Sequence, residues 1–251
     1  MSRTSVRRRR PASWPVAAVA LLLALAGAGG YAALNGGRAP SAPGTDASSG
    51  AISTLASPPG ARSAAGLLDA AGARAALAQL PVKGRAPATG YDRVARFGEA
   101  WLDVDKNGCD TRDDILARDL AAVSRRADCA VLTGTLSDPY TGRSIAFARG
   151  VQTSALVQID HVVALLDAWQ TGAQGLSQEA RVQLANDPLE LLAVDGATNQ
   201  AKGAGDAATW LPPNRGFRCE YAARQVAVKA KYGLWVTAAE GAALKGILAG
   251  C

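Results

Sequence analysis

Gln158-Ile159-Asp160-His161-Val162-Val163 sets a carboxylate and an imidazole side by side between apolar pairs. With Val157 ahead of it, the stretch reads as a strand whose end holds two polar groups beside an apolar core. A second β-prone run, Leu189, Leu191, Leu192 and Val194, follows the Asn186-Asp187-Pro188 turn, and Asn199-Gln200-Ala201-Lys202-Gly203 comes after that run. His161 is the only histidine in the chain, so no multi-histidine metal centre is available. A lone histidine has two readings. It is a structural hydrogen-bonding imidazole, or it is the single general base of a phosphodiester hydrolase, since neutral imidazole accepts a proton near neutral pH. In the second reading Asp160, with Asn199 supplying a neutral oxygen, binds a hard divalent cation. The two tasks separate: the ion stabilises charge on the phosphate and leaving oxygen while His161 activates water.

Outward from this centre, the pattern is mixed. Residues 64–80 have helical spacing, 83–90 break it, and 91–98 read as a surface turn or short strand. A helix is expected over 113–122 with Thr111 as its cap, helped by Asp114. Strands at 131–136 and 144–147 flank the turn Asp138-Pro139-Tyr140-Thr141-Gly142, a hairpin signal. Helices follow at 165–170 and 179–184, a short one at 207–210, and a longer one at 221–232 that Gly233 can terminate. Thr237 with Glu240 forms a capping box for a last helix over 238–249. The fold class is α+β, with no internal repeat.

Before residue 64 the chain changes character. Arg7 to Arg10 precede an apolar stretch over 16–28, the order of an export signal, and Ala24, Ala26 and Ala28 offer small-x-small cleavage sites. Residues 15–34 are also long enough to cross a bilayer if uncleaved. The expected organisation is therefore a signal peptide or N-terminal membrane anchor in 1–34, a Gly/Pro/Ser/Ala linker in 35–63, and one folded domain in 64–251. Either N-terminal reading leaves the domain outside the cytoplasm, secreted or anchored to the membrane's outer side.

The formal charge of +6 suggests a nucleic-acid partner only until it is located. Six basic residues and one acid lie in the first 50, which leaves 21 basic against 20 acidic residues elsewhere. A local surplus persists between Asn199 and Tyr232, where Lys202, Arg215, Arg218, Arg224, Lys229 and Lys231 face only Asp206 and Glu220. Such a patch binds phosphate, or is simply a solvated helix face. Arg112, Arg181, Arg215 and Arg218 are candidate phosphate contacts, whereas Trp169, Trp210 and Trp235 are assigned to packing. The four cysteines lie downstream of the export signal and suggest two disulfides, with three pairings open. Cys109–Cys129 with Cys219–Cys251 is favoured because each closes a modest loop and the second fastens the C-terminus. Asp103-x-Asp105-x-Asn107-Gly108, with Asp114 at the twelfth position, partly fits an EF-hand Ca²⁺ loop, although a capped, disulfide-linked turn accounts for the same residues.

Asp160-His161-Val162-Val163, the 189–194 run and Asn199-Gln200-Ala201-Lys202-Gly203 together resemble the core of HNH endonucleases. The closest subgroup is DUF1524-like, comprising secreted bacterial HNH proteins and the C-terminal domain of modification-dependent restriction enzymes. The similarity spans residues 91–251 and includes Trp101, Gly108-Cys109-Asp110-Thr111-Arg112, the Asp138-to-Gly142 turn and Trp210-Leu211-Pro212-Pro213. It implies a ββα-metal core in a mostly helical domain, with His161 as general base and Asp160 and Asn199 as ligands of one Mg²⁺ or Mn²⁺ ion. Lys202 is implied as a phosphate or leaving-group contact. Two positions depart from the family. Glu190 stands where many members have the Asn that orients the histidine, so Glu190 orients His161, alters its pKa or marks a less active variant. Ala164 replaces the usual Pro after the Asp-His segment, which changes turn rigidity more than proton transfer. The implied partner is DNA, with RNA also open, and no specific protein partner; membrane contact is confined to the N-terminal segment. No recognition helix or zinc-finger spacing points to strict sequence readout. The alternative is a catalytically inactive secreted or surface-anchored protein that binds nucleic acid or cell wall.

Overall fold

The computed structural model describes residues 66–251; the export-signal, anchor and linker readings lie outside the described residues. Helix α1 (Ala70–Leu77) is capped by the Asp69 side chain, which accepts from Gly72 N. Where a turn or strand was expected at 91–98, the chain forms a short helix, α2 (Arg93–Phe97). Asp92 caps it by accepting from Ala95 N at 2.8 Å, and Gly98 ends it at φ 82, where a side chain would be strained. Helix α3 (Thr111–Asp119) also starts differently: Asp110 is the cap, and the Thr111 hydroxyl donates to the Leu102 carbonyl instead.

The helix expected to run to residue 122 stops at Asp119, because Leu120 is extended and pairs with Leu136. This opens β1 (Leu120–Arg125), which joins β2 (Val131–Ser137) and β3 (Ser144–Ala148) in an antiparallel sheet of order β1-β2-β3. A Cβ on Gly134 would lie 2.8 Å from Leu120 Cδ2, so strand pairing at this point requires glycine.

The second sheet positions the site. Strands β4 (Val157–His161) and β5 (Leu191–Asp195) pair antiparallel, with Asp160 opposite Leu192 and His161 opposite Leu191. Between them run α4 (Leu165–Gln170) and α5 (Gln178–Ala185), and β5 leads directly into α6 (Gly196–Lys202). The β4-β5-α6 unit has the form of a ββα-metal core set among helices, as the resemblance implied. Successive side chains of a strand point to opposite faces. Val157, Ile159, Leu191 and Ala193 accordingly pack with Ile115, Leu116, Leu136 and Phe147, while Leu192 and Val194 pack with Tyr140, Val162 and Tyr221. Both faces of the sheet are buried, which explains the uninterrupted apolar run at 191–194. The β5–α6 junction approaches the 154–156 turn so closely that a Cβ on Gly196 would lie 2.0 Å from the Ala155 carbonyl oxygen.

Helix α7 (Arg218–Lys231) and α8 (Ala238–Ala249) complete the fold, the latter with the expected Thr237/Glu240 capping box. Residues 207–210 form a turn, not a helix. Both favoured disulfides are present, with Cα separations of 5.5 Å for Cys109–Cys129 and 5.8 Å for Cys219–Cys251. The transmembrane reading is corrected to what is described: among the described residues no helix is long and apolar enough to cross a membrane, α7 being the longest at 14 residues, and residues 15–34, on which that reading rests, lie outside them.

Candidate active site

The alternation of β4 sends Asp160 and His161 to opposite sides. His161 is 7 % exposed and opens into a cleft between α2, the loop that follows it and the end of α5. Its Nε2 lies 2.9 Å from the Ala185 carbonyl oxygen, which can only accept, so Nε2 carries the proton and Nδ1 the lone pair. Trp101 stacks on the imidazole, with ring centroids 6.2 Å apart and planes 19° from parallel. The tryptophan is held at φ 66, an unusual backbone region for a bulky side chain, with its carbonyl accepting from Thr111 N. Burial, then the positive charge of Arg93, disfavours the imidazolium and lowers the His161 pKa to about 3. The imidazole is neutral at physiological pH.

On the other face Asp160 is enclosed. Its Oδ2 accepts from the Tyr140 hydroxyl and its Oδ1 from Lys202 Nζ at 2.9 Å. Burial, then the Asp160 charge, holds the Tyr140 pKa well above its ordinary value, so the phenol stays a donor. Tyr140 packs against Trp210, Phe217 and Tyr221. The two motifs Asp138-to-Gly142 and Trp210-to-Pro213 therefore build one aromatic wall. Asp138 docks that wall onto the sheet by accepting from Asp195 N at 2.9 Å. Lys202, expected at a phosphate, has a fully buried side chain that turns inward and also donates to the His161 carbonyl at 2.6 Å.

Glu190 is completely buried, and its Oε2 accepts from Val163 N at 3.1 Å. Burial drives its pKa well above the ordinary carboxylate range, so it is a neutral acid. A protonated carboxyl has the same acceptor-plus-donor pattern as a carboxamide. Glu190 thus holds the backbone after His161 through one accepting oxygen, its Oε1 has no partner among the described residues, and it makes no hydrogen bond to the imidazole.

Asn199, on the first turns of α6, donates to Gln158 Oε1 at 3.0 Å, and its own Oδ1 accepts no hydrogen bond from the described residues. A carboxylate and a free amide oxygen are donors suited to a hard divalent cation. The structure brings Asp160, Lys202 and the His161 backbone together, whereas Asn199 is tied to Gln158. A second group, Asp167, Asp206 and Glu240, has ligand oxygens within 4.8 Å of one another and could coordinate a divalent metal. Two cations already occupy that group: Arg85 bridges Asp167 and Asp206 at 2.7 Å each, and Lys229 lies 2.8 Å from Glu240.

The basic surplus between Asn199 and Tyr232 is largely internal. Lys202, Arg224 and Lys229 are buried, Lys231 pairs with Asp187, and Arg218 donates to the Pro212 carbonyl. Arg112 and Arg181 likewise spend their donors on the Val157, Arg96 and Leu176 carbonyls. Of the four arginines expected at phosphates, Arg215 alone is left exposed without a side-chain hydrogen bond to the described residues. In the 103–114 loop the carboxylates converge on Asn107, whose side-chain amide donates to Asp105 and Asp114 at 3.1 Å each. The arginine that does stand at the cleft, Arg93, went unread; the signal for it is the Asp92 cap and Gly98 stop that define α2.

Residues 110–247 match the family described as GmrSD restriction endonucleases, C-terminal domain. A protein of Arthroderma benhamiae described as an uncharacterized secreted protein is 34% identical over 203 residues, which covers 80% of this chain and 95% of that protein. No solved structure matches the chain.

Proposed function

Because the chain belongs to the GmrSD restriction-endonuclease C-terminal-domain family, an HNH type matched over more than half its length, we propose that it is an exported, metal-dependent endonuclease acting on DNA. At the level of the family, enzymatic nuclease-type activity is supported; the residue roles and the substrate are our reading. The observation that carries it is His161: a neutral imidazole with its tautomer set by Ala185, its lone pair at Nδ1, and its position at the end of the strand that also bears Asp160. By donor chemistry Asp160 and Asn199 would hold the divalent cation, Mg²⁺ or Mn²⁺, and to do so Asp160 would have to open from its Tyr140 and Lys202 contacts and Asn199 from Gln158. When bound it supplies electrostatic stabilisation to the charge that develops on the phosphate and leaving oxygen.

The chain's own residues do the rest. His161 Nδ1 takes a proton from the attacking water, and the Ala185 carbonyl keeps the ring from turning. Trp101 lies nearly parallel to the ring on one side. Glu190 fixes the backbone that follows the histidine, and Lys202 with Tyr140 fixes Asp160. Two disulfides, and the description of the Arthroderma relative as a secreted protein, support a secreted protein. Family membership supports DNA as partner, with RNA the second substrate to test.

The decisive experiment incubates the purified, disulfide-bonded protein with supercoiled and linear duplex DNA and with RNA, in Mg²⁺ or Mn²⁺ and in chelator. Cleavage that needs the ion is expected. A folded protein that binds nucleic acid but cuts none of these substrates with either ion would establish the binding-only alternative.

A further inference from the structure

Arg93 stands at the mouth of the His161 cleft, on α2, ahead of the residues that match the family. Its Nη2 lies 3.5 Å from His161 Nδ1, the nitrogen with the lone pair. Among the described residues no carboxylate pairs with Arg93, whereas Arg85, Arg118, Arg126, Arg143, Arg149 and Arg224 each have one. The side chain is exposed, so it contributes little to the core. Its placement is nonetheless firm. Asp92 caps α2, Gly98 ends it, and Phe97 seats it against Tyr91 and Trp169.

Arg93 Nη2 donates to the Nδ1 lone pair across a long 3.5 Å, the guanidinium's one side-chain hydrogen bond among the described residues, so its other N–H groups are open. The arrangement suits an anion that has yet to arrive. The guanidinium's planar fork donates to two oxygens of a phosphate at once, which a lysine point charge does not reproduce. The other arginines foreseen as phosphate contacts are mostly engaged internally, so Arg93 is the cation directed at the base.

Building on the endonuclease reading, we propose that Arg93 is a substrate-binding residue that holds the nonbridging oxygens of the scissile phosphodiester opposite His161. Water attacks phosphorus as its proton passes to His161 Nδ1. The bond from phosphorus to the leaving oxygen breaks with its electron pair on that oxygen, which takes a proton from solvent.

Two measurements test this. In cleavage assays Arg93→Gln should lose roughly 10²–10³-fold in kcat/KM, the scale for losing one charge-stabilising donor, and Arg93→Lys should recover part of it, with melting temperatures unchanged. In the His161→Ala background, Arg93→Gln should weaken binding of a labelled duplex and reduce the slope of log affinity against log salt by about 0.9, one phosphate contact. Arg126→Gln removes the same charge from the β1–β2 turn and should leave that slope unchanged. Parent-like cleavage by Arg93→Gln, or an unaltered salt slope, would overturn the proposal. An inactive parent would instead count against the endonuclease reading, and the salt slope would still decide whether Arg93 meets phosphate.

Discussion

Lys202 and Lys229 are both fully removed from water, yet their surroundings differ in kind. Around Lys229 every charge is answered. It reaches Asp167 at 3.1 Å, Glu240 at 2.8 Å and the Trp235 carbonyl at 3.1 Å, while Arg85 takes the remaining oxygens of Asp167 and Asp206. The network joins α4, α7 and α8 and leads to no cleft. Lys202 has a single carboxylate, Asp160, and a backbone carbonyl, that of His161. It lies under the end of a strand from whose other side His161 reaches a cleft beside an arginine with no carboxylate partner among the described residues. A buried network saturated with partners holds a fold. A sparse one next to a base that lines a cleft has capacity left for a ligand.

The largest expected effect separates the two residues of the Asp-His pair. His161→Ala should cut cleavage roughly 10²–10⁴-fold, the cost of losing a general base, while calorimetric titration shows metal affinity near that of the parent. Asp160→Asn keeps a partner for Lys202 and Tyr140 but should lose metal uptake. If His161→Ala loses the ion while Asp160→Asn and Asn199→Ala keep it, the assigned roles are reversed.

Lys229→Met should produce no such division. It leaves Glu240 buried without its cation and Asp167 with Arg85 alone, a change that costs about 3–5 kcal/mol. Urea unfolding would read that loss, and adding Glu240→Gln should recover part of it by removing one stranded charge. A Lys229→Met protein as stable as its parent would break the contrast between the two lysines.

The smallest effect concerns pH. Glu190 is held protonated in the fold, whereas in the unfolded chain it ionises above its ordinary value of 4.5. Its contribution to stability is thus full below that value and is lost as pH rises. Glu190→Gln should therefore melt higher than the parent at pH 8 and nearly together with it at pH 5, by about 2–4 °C for each kcal/mol gained. His161 works in the opposite sense. Its pKa falls from 6.5 to about 3, so its contribution is full above 6.5 and is lost as pH drops toward 3. A melting difference for Glu190→Gln that does not grow between pH 5 and pH 8 would show that Glu190 is not held as a neutral acid in the fold.

Much of the fold was legible locally. The period-2 run around Asp160 gave β4, the Asp-Pro-Tyr-Thr-Gly turn gave the β2–β3 hairpin, and Thr237 with Glu240 gave α8, because each signal is complete within a few residues. The failures share a cause. Leu120 leaves its helix because Leu136, distant in sequence, is there to pair with it, and α2 is too short to show a helical period.

Chain order alone determined that there is one histidine, that it follows an aspartate, and that an asparagine and a lysine follow the next strand. Residue type sets which atoms can accept a proton or bind a cation, so the candidate chemistry was available without coordinates. Only the tertiary structure decided where those atoms point. Hydrogen bonds and charges act over a few ångströms between residues far apart in sequence. Ala185 therefore sets the tautomer of His161, Tyr140 and Lys202 enclose Asp160, burial neutralises Glu190, and Arg93 arrives at the base from an element that precedes the motif.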